Sequence, residues 1–185
     1  MRVWTGAKVR ACLGAALGGV IVLSSAGCSP EQRPLAAVYV DQQGAAHALL
    51  RPCGGDGRVR APGLRGTGLR GADGPAPEGA QDVAPGASPT EESWNGWYAP
   101  GLHEAADFPL FAPPASWAAE SRGPQDLVPG HSYELAFADP DDSYAYSASV
   151  TFDARRLAGL PAGEVLTLRG TMTREAFEDL ARQAC

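Results

Sequence analysis

Four groups of residues carry types and spacings that could do chemistry. His103-Glu104-Ala105-Ala106-Asp107 has the spacing of a zinc helix: two ligands four residues apart, and a carboxylate beside the first to act as general base. That chemistry needs a long helix, and Gly101 before and Pro109 after leave no room for one. The stretch reads as a surface turn. Asp139, Asp141 and Asp142 offer the carboxylates that extracellular calcium prefers, but a helix-loop-helix calcium loop needs Gly sixth and Glu twelfth. Counted from Asp139, those places hold Tyr144 and Val150, so the cluster reads as a turn needing no ion. Trp94, Trp97 and Tyr98 could form a platform for a sugar or a peptide, though aromatics in a small β domain are more often core. In a strand, Trp94 and Tyr98 share one face and Trp97 takes the other. His47, His103 and His131 are far apart and have no recognisable triad neighbour.

The sequence contains no GxSxG elbow, Walker A loop or CxxC pair. It therefore assigns no catalytic residue, no metal ligand and no cofactor.

The first residues read as an address. Arg2, Lys8 and Arg10 precede the uncharged run Ala11 to Leu23. That run has the length of a signal h-region, whereas a spanning helix needs about 20 apolar residues. Ser24-Ser25-Ala26-Gly27-Cys28 then resembles a bacterial lipobox, with Ser25 where the motif usually has Leu. In that motif the Cys is acylated and becomes the new N-terminus. Fatty chains at Cys28, palmitate among them, would hold the domain on the outer face of the cell membrane, where one chain alone binds only reversibly. Ser25 and Gly27 also fit ordinary signal cleavage, which would leave Cys28 merely exposed.

Cysteine arithmetic follows from that address. Cys12 leaves with the signal and Cys28 takes the lipid. Cys53 and Cys185 remain in an oxidising compartment, the number one disulfide needs. The rival uses are a metal site, which lacks further ligands at the right spacing, and a catalytic thiol, for which the last residue is an odd place.

The 185 residues carry a formal charge of −6, and the three cations of residues 1–27 come with no acid, so removing that segment leaves −9. An acidic domain of this kind is not a nucleic-acid binder. The 23 Gly and 16 Pro follow no Gly-X-Y period, which excludes collagen, and 44% apolar residues exclude a wholly disordered chain. Lys8 is the only lysine, a composition that looks like a high-GC bacterium such as an actinomycete.

Around these groups the chain must supply a scaffold. Residues 28–34 read as a polar tether and 35–185 as one β-rich domain. Leu35 to Arg51 is a hairpin turning at Gln42-Gln43-Gly44, and GRVRA (57–61) is a short strand. From about 62 to 92 the chain is dense in Gly and Pro, repeats GLRG at 63–66 and 68–71, and reads as a loose insertion. It is either a surface excursion or the boundary between the first hairpin and the rest. Short strands fit near 94–99 and 108–112. SYELAFAD and YSASVTFD alternate on either side of Pro140-Asp141-Asp142-Ser143, a second hairpin. Asp153 can cap a helical turn, EVLTL is a strand, and Thr173 can cap a closing helix with Phe177, Leu180, Ala181 and Ala184 on one stripe.

The end of the first hairpin, Leu49-Leu50-Arg51-Pro52-Cys53, resembles one end of a pattern in small secreted or lipid-anchored proteins of actinobacteria. The other end is similar too: Val150-Thr151-Phe152, Leu157, Leu160, Pro161, Gly163 and Val165, then Phe177 ahead of Ala184-Cys185. The resemblance covers the two ends and not the Gly/Pro-rich middle. It implies a lipoprotein with the Cys53–Cys185 bridge and a mostly β domain, and supplies no activity. The expectation is a mainly β protein, a small single-domain sandwich or curled antiparallel sheet with one C-terminal helix and a long Gly/Pro-rich loop. Its expected role is a non-enzymatic cell-envelope binding or structural module, meeting the membrane through its lipid and an envelope protein or extracellular ligand through its surface. A secreted hydrolase with an unrecognised active site is the alternative.

Overall fold

Period-two alternation draws most of the chain into strands, and a computed structural model shows where they go. It describes residues 29–68 and 94–185. The signal segment, Cys28 and the core of the Gly/Pro-rich insertion lie outside the described residues. The strands are β1 (Glu31–Arg33), β2 (Ala36–Val40), β3 (Ala46–Leu50), β4 (Arg58–Gly68), β5 (Asn95–Tyr98), β6 (Leu102–Glu104), β7 (Asp107–Pro109), β8 (Glu120–Arg122), β9 (His131–Ala138), β10 (Tyr146–Asp153), β11 (Glu164–Thr167) and β12 (Gly170–Thr173). Two α-helices, α1 (Ala154–Ala158) and α2 (Arg174–Ala184), and a 3-10 turn at Ala115–Trp117 complete the described elements.

The strands form two sheets. The larger has seven strands in the order β1-β10-β9-β4-β5-β8, with β6 also on β4. The smaller has five, β12-β11-β2-β3-β7. The protein is mainly β, as expected. The β9–β10 hairpin puts Tyr133, Leu135, Phe137, Tyr146, Ala148, Val150 and Phe152 on one buried face. That face meets Ala36, Val38, Ala48, Leu50 and Leu166 of the smaller sheet, so one core fills the space between the layers. Trp97, Phe108 and Trp117 pack at one margin with ring centroids 5.0 to 6.0 Å apart, Phe108 edge to face with both indoles. The Trp97 indole donates to the Leu110 carbonyl at 2.7 Å, so its buried N–H has a partner.

The outer face of the smaller sheet is covered in part by α2. Thr173 caps that helix, its hydroxyl accepting from the Ala176 amide, and Glu175 sits in the first turn where the dipole favours an acid. Phe177 buries itself on Ala37, Leu49 and Val165. At the far end of α2 a disulfide joins Cys185 to Cys53, 132 residues apart, and ties the helix to the end of β3. Asp153 caps α1 by accepting from the Arg156 amide. The α1 residue Leu157 is buried in the main core.

Three expectations change. Within the expected tether 28–34, Glu31–Arg33 is an edge strand, paired in parallel with β10. Gln32 donates to the Ser147 hydroxyl at 2.7 Å, and the Arg33 guanidinium lies 5.1 Å from the centre of the Tyr146 ring. These polar residues pair through backbone and side-chain tips, which hydropathy does not register. Within the expected insertion 62–92, residues 62–68 belong to β4, the strand at the middle of the larger sheet. A bulge between Arg60 and Gly63, with Ala61 at φ 48°, lets one long strand pair with β6 early and β5 late while β9 runs along its other side. And His103 to Asp107 is neither a helix nor a simple turn: His103 and Glu104 end β6, and Asp107 begins β7.

Candidate functional site

The outer face of the larger sheet carries the expected aromatic group. Trp97 points inward and is 1% exposed, so it belongs to the core and not to a platform. Trp94 and Tyr98 point the other way, with Gly96 between them. Tyr98 is 44% exposed. The register places Tyr98 opposite Gly63 and Gly96 opposite Arg65 across the β4–β5 pair. On the other side of β4, Ala136 stands opposite Gly63 and Glu134 opposite Arg65.

Two glycines shape this surface. A Cβ on Gly96 would collide with the Leu64 carbonyl oxygen, so only glycine permits that approach. A Cβ on Gly63 would stand 3.3 Å from Cδ2 of the Tyr98 ring, so the ring leans across the bare backbone of its neighbour. Tyr98 thus lies toward the sheet and turns its outer side to solvent. The result is a groove of about 290 Å³ whose walls and floor include Trp94, Tyr98, Arg65, Glu134, Gly63 and Ala136.

The polar groups of the groove are placed but not consumed. Arg65 and Glu134 face each other across the strands, yet neither is in an ion pair among the described residues. The Arg65 guanidinium lies 5.6 Å from the centre of the Trp94 ring, and that of Arg122, from β8 on the other side of β5, lies 5.1 Å away. Trp94 is thereby engaged by its own neighbours. Tyr98 is the aromatic left open for stacking.

A second polar cluster, not legible in the sequence, sits on the outer face of the smaller sheet. His47 Nε2 is 3.1 Å from Asp41 Oδ2, and its Nδ1 is 3.7 Å from Asp107 Oδ1. The Tyr39 hydroxyl donates to Asp107 Oδ1 at 2.7 Å, and Arg174 donates to Oδ2 at 2.5 Å. The Tyr39 ring stacks on His47 with centroids 5.1 Å apart. Asp41 also accepts from the amides of Ala45 and Gln43, and the Ala45 bond does most to hold its carboxyl below the usual range. Burial, then the Asp107 carboxylate, pushes the Tyr39 phenol above its ordinary value. The Asp107 carboxylate likewise raises Arg174. Each nitrogen of His47 faces a carboxylate of the protein, and the Tyr39 hydroxyl is spent on Asp107. The cluster ties β2, β3, β7 and the start of α2 together.

The other sequence candidates disperse. His103 Nε2 lies 2.9 Å from the Pro100 carbonyl oxygen and its ring packs on Trp117, while Asp107 belongs to the cluster above. Asp139 accepts from the amides of Asp141 and Asp142, and Asp142 from that of Tyr144, which is turn chemistry. Among the described residues no group of three His, Cys, Asp or Glu is placed to hold a metal ion. Nor is any helix among them long and apolar enough to cross a membrane. No protein-family model matches this chain, and no curated protein or solved structure matches it either.

Proposed function

We propose that the chain is a lipid-anchored, extracytoplasmic module of the cell envelope of an actinobacterium, and that it binds a ligand rather than transforming one. The signal pattern ahead of Cys28 and the resemblance of the two chain ends to small lipid-anchored proteins support the address. A disulfide between Cys53 and Cys185 suits an oxidising compartment. The observation that carries the binding role is Tyr98, which leans across Gly63 and is open on its outer side, in a groove whose Arg65 and Glu134 have no ion-pair partner among the described residues. The His47 cluster supports the same reading, because its carboxylates are taken up by Tyr39, Arg174, His47 Nε2 and the Ala45 and Gln43 amides, although His47 Nδ1 makes no hydrogen bond. The natural partners are the membrane, through the lipid, and a ligand of the envelope or its surroundings.

The experiment is fractionation of cells that make the full chain. Wild type is expected in the membrane fraction, with an intact mass showing acyl chains on Cys28, and Cys28→Ser is expected to be released. Isolated envelope should retain the released protein and retain its Tyr98→Ala form less well. Release of the wild type, or equal retention of the two forms, would overturn the corresponding half of the reading.

A further inference from the structure

We infer that the ligand of the Tyr98 groove is a saccharide chain, one sugar ring stacking on Tyr98 while its hydroxyl groups bridge Arg65 and Glu134. This rests on the reading of the groove as a binding site and names what it binds.

The inference begins with the backbone around the groove. The central strand β4 is paired on both sides, with β9 along one edge and with β6 and then β5 along the other. β5 is likewise paired on both sides, with β4 and β8. Their ladder N–H and C=O groups are already used. A peptide that docks by adding a strand needs a free sheet edge, and this groove lies on a face. The ligand must therefore be read by side chains.

Those side chains ask for a particular partner. A guanidinium only donates hydrogen bonds, and a carboxylate only accepts them. Arg65 and Glu134 are directly opposed in the β4–β9 register, which puts their Cβ atoms about 5 Å apart. A hydroxyl group both donates and accepts. One hydroxyl, or two on adjacent carbons, can accept from Arg65 and donate to Glu134 at once. A simple anion would satisfy Arg65 and be repelled by Glu134; a simple cation would do the reverse.

The aromatic supplies the rest. The outer side of Tyr98 suits the C–H face of a sugar ring, which is apolar while the ring edge is polar. Gly63 keeps the floor low, so a ring can reach Tyr98 and the charged pair together.

The test uses the full chain purified in detergent, titrated calorimetrically with cellotetraose, maltotetraose and the tetramer of N-acetylglucosamine. A proline-rich decapeptide is titrated in parallel, because aromatic-lined grooves also take extended proline helices. At least one saccharide is expected to bind saturably. Tyr98→Ala should weaken it at least tenfold, Tyr98→Phe less than threefold, and Glu134→Gln by an intermediate factor. Retention of the Cys53–Cys185 bridge and of the wild-type melting temperature controls for folding, and should Tyr98→Ala misfold, saccharide binding that Glu134→Gln leaves unchanged overturns the inference. Absence of binding by all three saccharides overturns the inference, as does binding that Tyr98→Ala leaves unchanged. Peptide binding that Tyr98→Ala abolishes, with no saccharide binding, overturns the ligand class and leaves the binding-module reading standing.

Discussion

Arg51 holds Glu178 through three hydrogen bonds, two from Nε at 3.0 and 2.8 Å and one from Nη2 at 2.7 Å, although 127 residues separate them. The pair sits beside the Cys53–Cys185 bridge, so α2 is fastened to the end of β3 twice, once by charge and once by a covalent bond. A carboxylate gripped by a guanidinium in this way is stronger than a single contact, but both side chains are about 30% exposed and solvent screens them. Glu178→Gln should therefore cost about 0.5–1 kcal/mol, and the loss should shrink in high salt. Urea unfolding at low and high ionic strength checks both statements.

The covalent fastening should matter far more. A cross-link closing a loop of 132 residues restricts the unfolded chain by about 5 kcal/mol in the chain-entropy account, although measured gains often fall below that figure. Reduction, or replacement of Cys53 and Cys185 by Ser, should lower the melting temperature by more than any single surface change. Unfolding with and without a phosphine reductant measures it.

Acid should loosen the His47 cluster through Asp41. Its carboxyl is held low in the folded protein, chiefly by the Ala45 amide and also by the Gln43 amide and the His47 imidazole. A depressed carboxyl stabilises the fold above its unfolded value, about 3.9, and that contribution is lost as pH falls through the folded value. Asp41→Asn should flatten the decline of stability below pH 4, and denaturant midpoints across that range read it out.

Alkali acts through phenols with the opposite sense. Burial raises both Tyr39 and Tyr146, and Asp107 adds to the effect at Tyr39. A raised phenol favours the folded state below its unfolded value, near 10, and that contribution disappears as pH climbs through the folded value. Ultraviolet titration should show phenolate forming late at these two positions. Tyr39→Phe should remove one late component and leave that of Tyr146.

The two hairpins and α2 were legible because their patterns are local. Tyr133, Leu135 and Phe137 alternate, and Phe177 and Ala181 fall on one helical stripe. β1 and β4 were not. Glu31-Gln32-Arg33 has no apolar residue, and β4 runs through Pro62, Gly63 and Gly66, residues that disfavour a strand in isolation. Both exist because neighbours supply ladder partners, and the sequence does not name those neighbours. The site divides the same way. Alternation separated Trp97 from Trp94 and Tyr98, but Arg65 and Glu134 reach them from distant segments. His47 meets Asp41 within one hairpin, and Asp107 and Arg174 only through the fold.

β1 also fixes where the chain enters the larger sheet. It runs parallel to β10, so the chain enters the larger sheet at Tyr146, beside the Asp139–Asp142 turn. From an anchor at Cys28 only Ser29 and Pro30 intervene before Glu31, a leash of about 11 Å at full stretch. With the proposed lipid on Cys28, these carboxylates would stand nearest an anionic leaflet and be repelled by it. Glu134 lies five residues from Asp139, about 17 Å away along β9. In the proposed lipid-anchored form, so short a leash would hold the groove toward whatever lies beyond the membrane.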